Sequence, residues 1–246
     1  TLGGTVIQAD KKVAVFNGDI DAYVPDNYGY CDHMCEQAMP VQTWGKQFVA
    51  TKSYGQVADY VMLTAIKDGT QIKKNGSVVA TINTCQHYLY RLTENAAYFE
   101  TSEPCACYIY QTSRTNNRTQ LGDPSMVWIT PLEQGIKQIT FATFKTKVSQ
   151  YHYVNIVVPT SAVGSMTMDG TKLTGFTTVP GNAEYSYLCK KINHGTHTLQ
   201  NAEAEFVAHV YGMGVDESYA YCVGGYLRKI NETDTEEIIE HETVTQ

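Results

Sequence analysis

The chain has 246 residues, of which 43% are hydrophobic, only 17% are charged and 18 are tyrosines, a composition typical of a folded protein rich in β-formers. Its net charge of −7 at pH 7 argues against a nucleic-acid partner and against binding to an anionic membrane, since both need a basic surface. No apolar run approaches the length of a membrane-spanning helix, so the sequence predicts no membrane insertion.

The chain opens on a strand-like stretch, QADKKVAVFNG at residues 8–18. Similar sequences end two later segments of the chain: ETSEPCACYIY at residues 100–110 and QNAEAEFVAHVY at residues 200–211. We therefore interpret the opening stretch as the closing strand of a preceding unit. We expect it to pair with a sheet of the unit that follows, because an unpaired strand edge promotes aggregation.

Short runs of β-branched or aromatic residues follow along the chain, bounded by Gly, Pro, Asn or Asp, and they predict strands. The clearest runs are residues 57–66, 106–112, 151–159 and 205–212. The apolar period of an amphipathic helix never persists for long before the C-terminal tail. The predicted fold class is therefore all-β.

Two dipeptides mark tight hairpins, Asn75-Gly76 and Asp169-Gly170. Both tolerate the positive φ values of a type I′ turn, which fits the twist of the flanking strands. Their spacing, and that of Pro40 and Pro131, indicates an internal repeat of roughly 90 residues.

The repeat predicts tandem β-sandwich-like units, two complete and one represented by its last strand. Residues 1–30 are assigned to the closing strand of a preceding unit and a loop, 31–118 to a first unit, 119–227 to a second, and 228–246 to an acidic tail or linker. This organisation implies further β units upstream in a longer polypeptide.

An ordered set of motifs resembles the IgG-Fc-binding-type family, which includes the N-terminal region of the IgGFc-binding protein of mucus and secreted or surface proteins of bacteria. In the first part of the chain the matching residues are Val13–Phe16, Cys31, His33, Glu36, Gln37, Pro40, Trp44 and Gly45. Further on the matching stretches are GDPSMVWITPLEQ, YVNIVVPT, GTHTL and ESYAYCVGG. The resemblance implies a secreted or cell-surface protein of repeated β modules without known catalysis or cofactor.

The resemblance has one departure that concerns a disulfide. Some members carry a further cysteine shortly after the strand glycine, where this chain has DIDAYVP, and a cysteine appears instead at Cys35. A different pairing for Cys31 follows, with Cys31 to Cys35 as the candidate. Buried thiols, a metal site that includes His33, and a reactive thiol are the other interpretations of this motif.

Two further metal sites are conceivable. Asp19, Asp21 and Asp26 form an oxygen-rich loop of the kind that holds Ca²⁺, although the spacing lacks the EF-hand pattern. His194 and His197 lie three residues apart and His209 lies on the following strand, so the second candidate is a zinc site. In a strand–turn–strand context, however, positions three apart do not share a face as they would on a helix. Solvated turns and hydrogen-bonded histidines are the simpler interpretations, and no metal is predicted.

Tyrosines are the most suggestive candidate binding residues, since tyrosine offers a large amphipathic contact area at low entropic cost. They fall in three groups: Tyr23, Tyr28 and Tyr30; Tyr185 and Tyr187; and Tyr219 and Tyr221. The alternative for each group is ordinary half-buried packing within a sheet.

Together these features predict a non-catalytic extracellular adhesion or recognition module that binds a protein or glycoprotein at a mucosal or cell surface, with immunoglobulin and mucin as candidate partners. The alternative is a structural spacer whose stacked β units present another domain. A hydrolase is the remote alternative, because no nucleophile elbow, HExxH or phosphate-binding loop is present.

Overall fold

Antiparallel β-strands make up nearly all the regular structure. The computed structural model describes residues 3–25, 29–144, 147 and 149–231, and over these residues the helical segments are four short 3₁₀ turns. The prediction of an all-β, sandwich-like fold is confirmed. In the same part of the chain, the structure contains no helix long and apolar enough to cross a bilayer.

An N-terminal hairpin precedes the larger sheets. Its strands are β1 (Phe16–Tyr23) and β2 (Cys31–Gln37), which pair only with each other in a two-stranded sheet. Contrary to expectation, β1 joins no sheet of the following sandwich, and residues 8–15 are not strand. The hairpin instead packs one face on that sandwich, where Val24 and Met34 contact the cluster that contains Trp128.

A first sandwich follows. Its strands are β3 (Gly45–Thr51), β4 (Asp59–Ala65), β5 (Thr70–Lys74), β6 (Ser77–Ile82), β7 (His87–Leu92), β8 (Ala96–Gln111) and β9 (Ser125–Trp128). The long strand β8 belongs to both layers, because its first half pairs with β3 and β5 and its second half with β4 and β9. Phe48, Leu63, Phe99 and Ile109 lie fully buried between the layers.

A second sandwich has a closely similar pairing pattern. Its strands are β10 (Gln138–Ala142), β11 (Ser149–Pro159), β12 (Met166–Met168), β13 (Thr171–Lys172), β14 (Thr177–Val179), β15 (Asn182–Ile192), β16 (Thr196–Asn201), β17 (Val207–Gly214) and β18 (Glu217–Cys222). One sheet has the order β10-β16-β12-β13 and the other β14-β15-β11-β17-β18. Here β16 and β17 take the two roles that β8 fills alone in the first sandwich.

Both predicted hairpin dipeptides occupy tight turns with positive φ. Asn75 and Gly76 have φ values of 49° and 86° between β5 and β6, and Asp169 and Gly170 have 51° and 75° between β12 and β13. Both pairs adopt the left-handed conformation that a type I′ hairpin turn requires.

The two sandwiches meet in a contact that is mostly buried. Tyr153 stacks on Tyr54 and on Tyr211, with ring centroids 4.9 Å and 5.3 Å apart. The Asn155 side chain in β11 donates to the Thr51 carbonyl and hydroxyl of β3 at 3.2 Å and 2.9 Å. The β14–β15 turn also approaches closely, since a Cβ on Gly181 would lie 2.4 Å from Cα of Asn75.

The residue ranges assigned to the units remain predictions. Strand β9 lies beyond the predicted boundary at residue 118, yet it pairs with β8. Of the predicted tail, residues 232–246 lie outside the described residues. At its start the Asn231 side chain donates to the carbonyls of Val41 and Trp44, so this part of the tail is held against the first sandwich.

Candidate binding site

A concave groove lies beside the contact between the two sandwiches, with a cavity of about 380 Å³, which is within the range of small-ligand sites. We call it the Tyr185 groove. Its buried and half-buried apolar lining consists of Leu132, Val157, Pro159, Phe206 and Val207. The rest of the lining consists of the half-buried Tyr185 and Ala204 and the exposed Lys137, Glu203 and Glu205.

Two loops form one wall of the groove, and backbone hydrogen bonds hold them together. Ile136 and Phe206 exchange N–H to carbonyl bonds of 2.9 Å and 2.8 Å. The buried Asn201 shapes the second loop, because its side-chain oxygen Oδ1 accepts hydrogen bonds from the backbone N–H groups of Glu203 and Ala204 at 2.9 Å and 3.0 Å. These bonds fix the two loops that form this wall of the groove.

Tyr185 lies opposite Pro159 in the β11–β15 pair and is half-buried. It packs on an apolar cluster in which Val49 of the first sandwich meets Val157 and Val207 of the second. Burial raises the pKa of Tyr185, with smaller contributions from Glu133 and Glu184. Its phenol therefore stays neutral at physiological pH and presents an O–H that both donates and accepts.

The groove combines an apolar lining with one aromatic ring and charges of both signs at its edge. Such a lining suits a ligand with an apolar face and a polar periphery, such as a side chain of a protein partner or a sugar ring. The Glu205 carboxylate is also paired with the Arg228 guanidinium at 3.4 Å, which leaves Lys137 and Glu203 as the charged groups with most freedom to contact a ligand.

The structure separates the remaining predicted tyrosines. Tyr187 shares the apolar cluster beside Tyr185, and burial raises its pKa. Tyr23 lies at the end of β1, and Tyr30 carries the Arg114 guanidinium 4.1 Å above its ring. Tyr28 lies outside the described residues. Of the predicted tyrosines that the structure describes, only Tyr185 lines the groove.

Tyr219 and Tyr221 lie together on the edge strand β18, with ring centroids 6.2 Å apart. Both are committed to internal hydrogen bonds: the Tyr219 hydroxyl meets Nδ1 of His152 at 2.8 Å, and the Tyr221 hydroxyl donates to the Ala142 carbonyl. Burial raises the pKa of Tyr221 to about 12. These contacts give both rings a structural role at the open end of the second sandwich.

The metal-ligating candidates do not converge. Asp19 and Asp21 are exposed on β1, where the Asp21 N–H donates to the Asp19 carboxylate at 3.0 Å, and Asp26 lies outside the described residues. His197 bonds to Asp169 at 2.7 Å and to the Asn193 carbonyl at 2.9 Å. Over the described ranges no group of three or more His, Cys, Asp or Glu side chains is placed to hold a metal ion.

Cys31 and Cys35 both lie on β2, four residues apart. An extended strand separates residues four apart by about 13 Å, well beyond the roughly 7 Å limit for Cα atoms joined by a disulfide. All seven cysteines, including these two, are free thiols in the structure. The structure does not bring the predicted pair together, so forming that disulfide would require β2 to bend.

Most of the groove escaped the sequence analysis. Leu132, Lys137, Glu203 and Glu205 come from connecting segments, and their only signal was that these stretches recur as landmarks of the repeat. Nothing in the sequence places residue 132 beside residue 205, because the contact depends on how the second sandwich closes.

The fold and the groove together define an all-β protein of two sandwiches with a ligand-sized concave site between loops. A family model described as IgGFc binding protein matches residues 1–212. The chain therefore belongs to the IgGFc binding protein family. Curated proteins give no match.

Among solved structures, a lectin from Pleurotus ostreatus in complex with GalNAc is similar over 72% of this chain and 75% of that chain, with 10% identity and a TM-score of 0.21. A likeness this distant carries no argument about the fold or the ligand.

Proposed function

We propose that the chain is a non-catalytic extracellular recognition module that binds a protein or glycoprotein at a mucosal or cell surface. The Tyr185 groove is the site, and immunoglobulin Fc and mucin are the candidate partners. The module belongs to a secreted or cell-surface protein with further β units upstream.

The observation that carries this proposal is a preformed groove with an apolar lining and a half-buried tyrosine, in a chain whose family is named for binding IgG Fc. Tyrosines in such pockets are typical energetic anchors of protein interfaces. The exposed charges of Lys137 and Glu203 supply the polar rim that surrounds such anchors.

Biolayer interferometry against immobilised immunoglobulin Fc, mucin and a glycan panel tests the proposal. We expect saturable binding to one of these surfaces and little loss between low and physiological salt, because the proposal places the main contact on the ring of Tyr185 and not on the charged rim. Tyr185→Ala should weaken that binding by about 30-fold or more, the loss typical of an anchor residue. Circular dichroism checks that the variant is folded.

Tyr88→Ala is the matched control, because Tyr88 is also half-buried but lies on β7, an edge strand of the first sandwich. Glu203→Lys is a second groove variant whose exposed side chain can be changed without altering the core. If Tyr88→Ala weakens binding as much as Tyr185→Ala does, the site lies elsewhere. The same conclusion follows if Tyr30→Ala or Tyr219→Ala weakens binding and neither groove variant does. Silence of the folded wild-type chain on every surface would favour the structural spacer.

A further inference from the structure

Three hairpins of the molecule share one register. These hairpins are β1–β2, the second half of β8 with β9, and β17–β18. Their first strands overlap the three similar stretches noted in the sequence. The directly opposed pairs at the same position are Phe16 with Gln37, Tyr108 with Trp128, and His209 with Cys222.

Next to this opposed pair, on the side away from the turn, all three hairpins have the same backbone hydrogen bond. It runs from Ala38 N–H to the Val15 carbonyl at 2.9 Å, from Ile129 N–H to the Cys107 carbonyl at 2.9 Å, and from Val223 N–H to the Ala208 carbonyl at 3.3 Å. Sequence and pairing thus align the hairpins at the same residues, so β1 occupies the position of β17 and of the second half of β8.

The hairpins differ in what lies on the other edge of the first strand. Tyr108 is opposite Met62 of β4, and His209 is opposite Asn155 of β11. No strand among the described residues pairs with the corresponding edge of β1. In an antiparallel pair the bonded and non-bonded positions alternate, so the bond at Val15 directs the N–H and carbonyl of Phe16 away from β2 and towards this free edge.

The side chains of β1 and of the segment just before it show the same lack of a partner. Val13 and Phe16 are 63% and 65% exposed, whereas their counterparts Cys105 and Tyr108 are 0% and 8% exposed. In the second sandwich the counterparts of Val13 and Phe16 are also buried. Exposed apolar residues beside an open strand edge are typical of a surface that another strand covers.

We propose that β1 accepts a strand along its free edge, and that this strand is the central strand of a further β unit N-terminal to β1 in the longer polypeptide. Both sandwiches support this choice, since the strand that pairs there, β4 or β11, precedes the hairpin in the same chain. The strands of a second folded copy that correspond to this position, β4 and β11, cannot supply it, because they are already paired on both edges. This inference does not depend on the Tyr185 groove.

A fused strand tests the proposal on the chain itself. A copy of residues 57–67, which contain β4, is joined ahead of Thr1 through a flexible Gly/Ser linker of about 30 residues. The comparison is the same fusion with that segment scrambled. We expect amide exchange at Phe16 and Gly18, read by NMR, to slow about tenfold or more, with little change at Asn17, whose N–H faces β2.

Two substitutions separate backbone pairing from side-chain contact. Phe16→Pro removes an N–H that faces the free edge, a change that edge strands tolerate, and it should abolish the slowing at Gly18. Phe16→Ala keeps the N–H and should retain most of it. The proposal is overturned if the two fusions exchange alike, or if Phe16→Pro leaves the protection of Gly18 intact.

Discussion

At the scale of single residues, Asp59 couples the fold to pH. Its carboxylate is fully buried at the start of β4 and accepts the Ser53 N–H at 2.7 Å. Burial raises the pKa of Asp59 to about 6, which the Ser53 bonds and Lys52 only partly offset. The carboxyl group therefore binds its proton more tightly in the folded chain than in the unfolded chain, where the pKa is about 3.9.

This difference predicts that the free energy of unfolding falls as pH rises from about 4 to about 6, by about 3 kcal/mol. Below pH 4 the group is protonated in both states, and above pH 6 the cost of burying its charge is complete. Asp59→Asn stays neutral throughout, so that variant should lack this part of the fall. Urea unfolding at half-unit pH steps measures it.

The relevant quantity is the difference in the free energy of unfolding between wild type and Asp59→Asn at each pH. Burial also raises the pKa of Asp123 to about 7, so the free energy of unfolding changes with pH in both proteins. Asp10→Asn, at an exposed position, controls for the loss of a negative charge. Parallel pH profiles for wild type and Asp59→Asn would rule out the assigned role.

At the scale of elements, the short strand β9 completes the first sandwich from beyond its predicted boundary. Trp128 is 1% exposed and makes an edge contact with Tyr108 at a centroid distance of 5.3 Å. Val127, its neighbour in β9, belongs to the core between the layers. A four-residue strand thus contributes to two apolar clusters, because alternate side chains point to opposite faces.

Trp128→Ala should therefore lower the free energy of unfolding by about 3–5 kcal/mol, the usual cost of truncating a buried aromatic side chain. Trp44→Ala is the matched control, because Trp44 is only half-buried, and its cost should be smaller. Urea unfolding followed by circular dichroism compares both variants with wild type. Equal costs would contradict the assigned contribution of Trp128 to the apolar cluster that it shares with Tyr108.

At the scale of the whole molecule, the contact between the sandwiches is polar and aromatic as well as apolar. Asn155 is 1% exposed and bonds across the contact to Thr51. The hydroxyl of the fully buried Tyr211 accepts the Tyr54 N–H at 2.9 Å. Because the hydrogen bonds of Asn155 to Thr51 and of the Tyr54 N–H to Tyr211 form only when the sandwiches are docked, we expect the two to unfold together in one calorimetric transition.

Asn155→Ala should lower the free energy of unfolding by about 1–3 kcal/mol, since it leaves the Thr51 carbonyl without this donor in a buried position. Asn193→Ala, at an exposed turn position, is the control and should change little. Differential scanning calorimetry measures both the stability of each variant and the number of unfolding transitions. Two separate transitions in the wild-type protein would contradict the coupling.

How far the sequence predicts this protein can be judged from its turns and its groove. The hairpin turns at Asn75-Gly76 and Asp169-Gly170 were predicted, because a positive φ and the flanking strands are local properties. The tyrosines were recognised only as a class: alternation in a strand does not distinguish Tyr185, which lines a groove, from Tyr221, which is bonded to Ala142.

By itself the sequence determined the all-β class, the family resemblance and the two tight hairpins, since each strand pattern, motif and turn dipeptide is made of residues close together in the chain. The tertiary structure alone decided the groove, the pairing of β9 with β8 and the open edge of β1. Each of these depends on segments that are distant in sequence, such as residues 132, 185 and 205, and only the closure of the sheets brings such segments together.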